Sequence, residues 1–205
     1  MYLSARDRLG EALKGFDLEI ERDPDDPEVW KRKGLFLLKA QKTREALDCL
    51  EKASELDPDD VEVWEKKARA LASLGRYNEA FSAYDKALLI NPEDVDIWRN
   101  KGASLTESGR LKEAVAAYEN ALLIKPDDSG LWEQKGFVLT ELEDHEGALA
   151  SFEQAIIRNP KKGRLWICKG HALRGLKRDE EAREAYDTGL QLDNVQFNPL
   201  EKAGM

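Results

Sequence analysis

Residues 98–126 read WRNKGASLTESGRLKEAVAAYENALLIKP, and this stretch decides the fold. Trp98, Gly102 and Leu105 fall at i, i+4 and i+7, one face of an amphipathic helix. After a turn, Ala114, Tyr118 and Ala121 form a second stripe with the same spacing. Pro126 follows where a residue without an N–H cannot continue a helix. Two short helices with small residues on the facing stripes predict an antiparallel pair, whose close approach needs Gly or Ala at the crossing.

The pattern extends outward in both directions. Trp30, Trp64, Trp98, Trp132 and Trp166 each stand thirty-four residues apart, and a constant period of that size marks a repeat array. Gly34, Ala68, Gly102, Gly136 and Gly170 keep step as the small residue, and Leu37, Leu71, Leu105, Leu139 and Leu173 close the first stripe. On the second helix, Ala46, Ala80, Ala114, Ala148 and Ala182 are followed at i+4 by Leu50, Tyr84, Tyr118, Phe152 and Tyr186. Asp57–Asp60, Glu93–Asp94 and Asp127–Asp128 place carboxylates at the start of the next first helix, where they cap free N–H groups. Lys161-Lys162-Gly163 departs from this rule, so the fourth-to-fifth junction is expected to be the loosest. The tryptophans read as buried packing wedges with an N–H partner.

These residues resemble the tetratricopeptide (TPR) family, with Trp, a small residue, Leu, Ala, an aromatic, Ala and Pro at that family's spacings. The resemblance implies an all-α, right-handed superhelical solenoid of antiparallel helix pairs, A and B. It divides the chain into a partial repeat over 1–26, full repeats over 27–60, 61–94, 95–128, 129–162 and 163–196, and the start of a further helix A over 197–205. The fifth repeat departs from the pattern, with Gly189 in place of Ala and Asn194 in place of Pro, so its second helix should end less sharply. At the amino end Leu3 and Asp7 align with Leu105 and Gly109, so the chain is expected to open near the end of a helix A.

In that family the A helices line a concave groove. The matching positions here give a partner-binding surface of Lys31, Arg32, Leu35, Lys66, Arg69, Arg99, Asn100, Ala103, Phe137, Thr140, His171 and Arg174, with Leu38, Lys39, Glu62, Ser73 and Cys168 among its neighbours. The full set of groove positions, which also includes Glu28, Glu65, Asp96, Glu107, Glu133, Glu141 and Arg164, sums to about +1 on a chain of −9, which favours acidic or carboxylate-bearing peptides. The Lys and Asn set with which chaperone-binding TPR domains grip a C-terminal carboxylate is not reproduced in any frame; starting at the first repeat, only Lys31 matches.

Composition bounds the remaining classes. With 205 residues, 41% hydrophobic and 36% charged, the chain can bury a continuous core as one array. The absence of a long apolar run or a signal-like amino terminus points to a soluble, cytoplasmic protein with no membrane role. Net charge opposes nucleic acid. Cys49 and Cys168 read as free thiols, and His145 and His171 lack partners for a metal or a nucleophile, so neither enzyme activity nor a cofactor is expected. The reading is a protein-interaction scaffold. Its alternatives are a regulatory or targeting arm of a larger polypeptide and a self-assembling module that stacks weakly end to end, through Leu3 and Leu9 at one end and Tyr186, Leu190 and Leu200 at the other.

Overall fold

A computed structural model describes the backbone of residues 5–197; the expectations attached to Leu3, Leu200 and residues 198–205 lie outside the described residues. Eleven helices and no strand occur among the described residues: α1 Ala5–Arg22, α2 Pro27–Lys39, α3 Thr43–Leu56, α4 Val61–Ser73, α5 Tyr77–Ile90, α6 Val95–Glu107, α7 Leu111–Ile124, α8 Ser129–Glu141, α9 His145–Arg158, α10 Gly163–Gly175 and α11 Asp179–Phe197. The chain forms two compact units, Met1–Ile97 and Trp98–Met205, with the boundary inside α6. In the first, α2 pairs with α3 and α4 with α5, and α3 packs on α4; in the second, α8 pairs with α9 and α10 with α11, and α9 packs on α10. Connections of three or four residues make each pair antiparallel.

Helix starts follow the sequence closely. Asp26, Asp60, Asp94 and Asp128 accept backbone N–H groups in the first turns of α2, α4, α6 and α8, at 2.9 to 3.2 Å. Lys162 occupies the same position before α10 and provides no side-chain cap. Among the B helices α9 is capped in the same way, by Asp144 on the Gly147 N–H at 3.0 Å, but three others start differently. Arg76, Arg110 and Arg178 reach forward three residues to grip Glu79, Glu113 and Glu181 through two parallel N–H bonds each, at 2.5 to 2.8 Å. These bonds hold the three exposed carboxyls below the usual glutamate range. Helix α11, without a proline at position 194, runs for 19 residues against 14 for α3, α5, α7 and α9. At the other end α1 is continuous from Ala5, so the helix-A end and turn expected at Asp7 are absent.

Every turn from helix A to helix B contains one residue in the left-handed region, always eleven after the tryptophan. Gly75 and Gly109 occupy it at φ 74° and 77°, but Gln41, Glu143 and Lys177 adopt φ 60°, 59° and 59°. A Cβ costs roughly 1 kcal/mol in this conformation. Gln41→Gly, Glu143→Gly and Lys177→Gly are therefore each expected to stabilise the protein by about 0.5–1 kcal/mol. Urea unfolding checks this, and a lower midpoint in all three variants would refute it.

The core is made by the small-residue stripes. Ala46, Ala80, Ala114 and Ala148 are wholly buried, as are Ala53, Ala87, Ala121 and Ala155. A Cβ added to Gly34, Gly102, Gly136 or Gly170 would lie 2.6 to 2.9 Å from Leu50, Tyr118, Phe152 or Tyr186 respectively. The glycines are thus seats for the large residue of the partner helix. At the fifth repeat a second contact of this kind appears. Gly163 and Gly189 face each other closely enough that a Cβ on either would come within 2.5 to 2.8 Å of the other's carbonyl oxygen. Gly189 is therefore a close-packing position.

Candidate partner-binding groove

The tryptophan rings are half-buried, and their N–H groups are satisfied by the preceding turn. Trp30, Trp64, Trp132 and Trp166 donate to the carbonyls of Pro24, Pro58, Pro126 and Pro160 at 2.8 to 2.9 Å. A lysine three residues on covers each of the five rings, with its ammonium 5.1 to 5.8 Å from the centroid. Lys33, Lys67, Lys135 and Lys169 then pair with Asp17, Glu51, Glu119 and Glu153 on the preceding helix B, at 2.6 to 3.5 Å. Each ring thus packs between its own turn and a lysine, and those of Trp64 and Trp132 also border surface recesses of about 540 and 500 Å³.

On the A-helix face, three of the expected groove residues meet in one cavity of about 480 Å³ in the first unit. Leu35 of α2 and Lys66 and Arg69 of α4 line it, together with Leu38, Lys39, Glu62, Ala70 and Ser73. Leu35, Leu38 and Ala70 supply apolar surface, and the charged rim has three cations against one carboxylate. Lys66 and Arg69 both lean on Glu65, at 2.6 and 3.4 Å.

The remaining expected residues are deployed otherwise. Lys31 is held by Asp60 at 2.9 Å and Glu62 at 3.0 Å, and the bond to Asp60 raises its pKa despite burial. Arg32 turns to α1, where it pairs with Glu19 and lies 5.7 Å from the Phe16 centroid. Arg99 pairs with Asp128 at 2.9 Å, and Asn100 and Ala103 are half-buried on α6. Phe137 packs edge-on against Phe152, with centroids 5.5 Å apart, beneath the Arg164 guanidinium. Thr140 donates to the Gly136 carbonyl of its own helix at 2.9 Å. His171 and Arg174 are exposed on α10 and share contacts with each other. Cys168 is buried, contrary to the exposure expected of a groove position, because its side chain enters the core cluster around Leu139 and Phe152. Burial pushes up the pKa of both its thiol and that of Cys49.

One arrangement accounts for the missing acidic cap at α10. In the first unit Lys31 joins Asp60 and Glu62; three repeats on, Glu133 joins Lys162 at 2.6 Å and Arg164 at 3.7 Å. Every charge of the triad is reversed while every position is kept. Glu133 is 7% exposed, so the lysine at the capping position answers a nearly buried carboxylate. Sequence reading found the lysine but not its reason, because the partners are twenty-nine residues apart and meet only once helices are stacked.

Paired helices in period, with a ligand-sized recess on the A-helix face, define a helical-repeat protein of the solenoid class. Two family models described as tetratricopeptide repeat match residues 32–91 with 138–199, and residues 71–134; the chain belongs to the tetratricopeptide repeat family. Among solved structures, MamA protein aligns at 17% identity over 85% of this chain and 95% of its own, with a TM-score of 0.79. A MamA fragment from Desulfovibrio magneticus RS-1 aligns at 22% identity over 84% and 97%, with a TM-score of 0.75. YrrB, described as a TPR protein with an unusual peptide-binding site, aligns at 20% identity over 93% and 98%, with a TM-score of 0.74. No curated protein matches in sequence. No helix among the described residues is long and apolar enough to cross a membrane.

Proposed function

We propose that this chain is a protein-interaction scaffold that holds a peptide segment of a partner protein on its A-helix face, with the recess between α2 and α4 as a principal site. The observation carrying this reading is the 480 Å³ cavity that gathers Leu35, Lys66 and Arg69. Its apolar floor and cationic rim suit a segment in which an acidic residue neighbours an apolar one. Peptide binding by the structural neighbour YrrB supports the ligand class.

The test begins with affinity capture from the source cell and identification of the partner by mass spectrometry. Leu35→Asp and the pair Lys66→Glu/Arg69→Glu are expected to weaken its binding by about tenfold or more each. Added salt should weaken the native interaction further. Unchanged affinity in both variants would remove the groove from consideration. Weak end-to-end self-association is a second reading; Leu18 on α1 and Leu190 on α11 are exposed, as are Leu89, Leu123 and Ile157 on the helices between them. Sedimentation equilibrium showing a strict monomer at high concentration would dismiss it.

A further inference from the structure

We propose that the recess between α7 and α9 is a second docking surface, which takes a basic amphipathic helix of a partner protein. It lies wholly within the second unit and uses none of the residues expected to line the A-helix groove. A cavity of about 500 Å³ has an apolar lining of Val115 from α7, Trp132 and Leu139 from α8, and Ala150 from α9. One turn on from the lining residues Glu119 and Glu153, Leu123 and Ile157 continue the same helix faces. They are 81% and 69% exposed.

Leu123 and Ile157 stand twenty-five residues after their tryptophans, a position held by Glu55 in the first repeat and Gln191 in the fifth. Packing within the array therefore does not call for an apolar residue there. The equivalent recess of the first unit, about 540 Å³ over Trp64, is lined by Arg44, Lys67 and Arg76 against Asp48, Glu51 and Glu79, so its charges balance. In the second unit Lys135 balances Glu119 at 2.7 Å and Lys169 of α10 balances Glu153 at 2.8 Å. The lining carboxylate of Asp144 accepts the Gly147 N–H and, among the described residues, is paired with no cation. Leu123 and Ile157 also lie in the last turns of α7 and α9, where free carbonyls carry partial negative charge. A partner that covers them is favoured if it brings positive charge. A second copy brings a net charge of −9 and an anionic lipid surface brings phosphates, so both are disfavoured. Two turns before the large residues, Ala116 and Ala150 are exposed on the two helices. Small side chains there let a third helix approach closely, with its apolar stripe over Leu123 and Ile157.

The intact protein, with ¹³C-labelled Leu and Ile methyl groups, is titrated with the peptide acetyl-KALKALLKALKALLK-amide, a basic amphipathic helix. Two control peptides separate the forces: Glu in place of every Lys reverses the charge, and Gln in place of every Leu removes the apolar stripe. Only the first is expected to bind, with shifts at the methyl groups of Leu123 and Ile157. Leu123→Ser/Ile157→Ser should keep the circular dichroism of the native chain and weaken binding about tenfold or more. Asp144→Asn retains an N-cap and should weaken it about threefold. Leu89→Ser, at the same phase in the first unit, should leave it unchanged. Equal binding by either control peptide, shifts confined to other methyl groups, or undiminished affinity in the double serine variant would overturn the assignment. So would self-association in sedimentation equilibrium, or binding to phosphatidylglycerol vesicles, that the double variant abolishes, since a second copy or a lipid surface would then be the occupant. None of these results bears on the α2–α4 recess, which is judged on the Leu35, Lys66 and Arg69 variants.

Discussion

Reversing the whole triad, with Glu133→Lys, Lys162→Asp and Arg164→Glu together, is expected to stabilise the protein by about 1 kcal/mol, while Lys162→Asp alone costs roughly 2 kcal/mol. The single change supplies an N-cap carboxylate to α10, a favourable term of about 1 kcal/mol. It also sets that carboxylate against Glu133, which is 91% removed from solvent along its side chain and loses its 2.6 Å partner. Loss of a charge partner at a buried site outweighs a cap. In the triple variant the new lysine would face two acids as Lys31 faces Asp60 and Glu62, at 2.9 and 3.0 Å. The cap is then gained and the charge pairing restored. Urea midpoints of the single and triple variants decide the matter: a triple variant no more stable than Lys162→Asp would show that the two triads are not equivalent.

Gly136→Val is expected to destabilise the second unit by about 3 kcal/mol. Its new Cβ would meet the Phe152 ring at 2.6 Å, and Phe152 is 1% exposed. Combining it with Phe152→Leu should recover part of the loss, because in the first repeat Gly34 already faces Leu50. Gly136→Ala brings the same Cβ without the two γ-methyls and should cost less than valine, as Ala68 occupies the same position opposite Tyr84 in the native second repeat. Thermal melts of the three variants give the ranking, and a valine variant as stable as the native chain would mean that the helices can part without penalty.

The elements most legible in the sequence are those whose cause is local. Asp60, Asp94 and Asp128 were readable as caps because a cap acts within three residues, and the small-residue seats, four glycines and Ala68, were readable because their period repeats five times. The turn eleven residues after each tryptophan carried a visible signal in Gly75 and Gly109. Gln41, Glu143 and Lys177 obscured it, since three unrelated side chains accept the same strained conformation. Groove membership was only partly legible. A register names which residues occupy a face, but how a cation there is deployed depends on the acids near it: Lys31 and Arg99 are tied to Asp60 and Asp128 of the next junction, while Lys66 and Arg69 pair with Glu65 of their own helix and line the cavity. The inverted triad was hidden for the same reason.

The tie from Lys33, Lys67, Lys135 and Lys169 back to an acid sixteen residues earlier bears on how such an array can be rearranged. Because lysine and acid lie on opposite sides of a repeat junction but at fixed phases, excising or duplicating any thirty-four-residue block leaves a lysine facing an acid at the new seam. The array can therefore lengthen or shorten by recombination without severing this strut. The reversed triad is not so permissive: moving the fifth repeat behind the first would set Arg164 against Lys31. One feature leaves the modules free to be rearranged, and the other restricts which repeat can follow which.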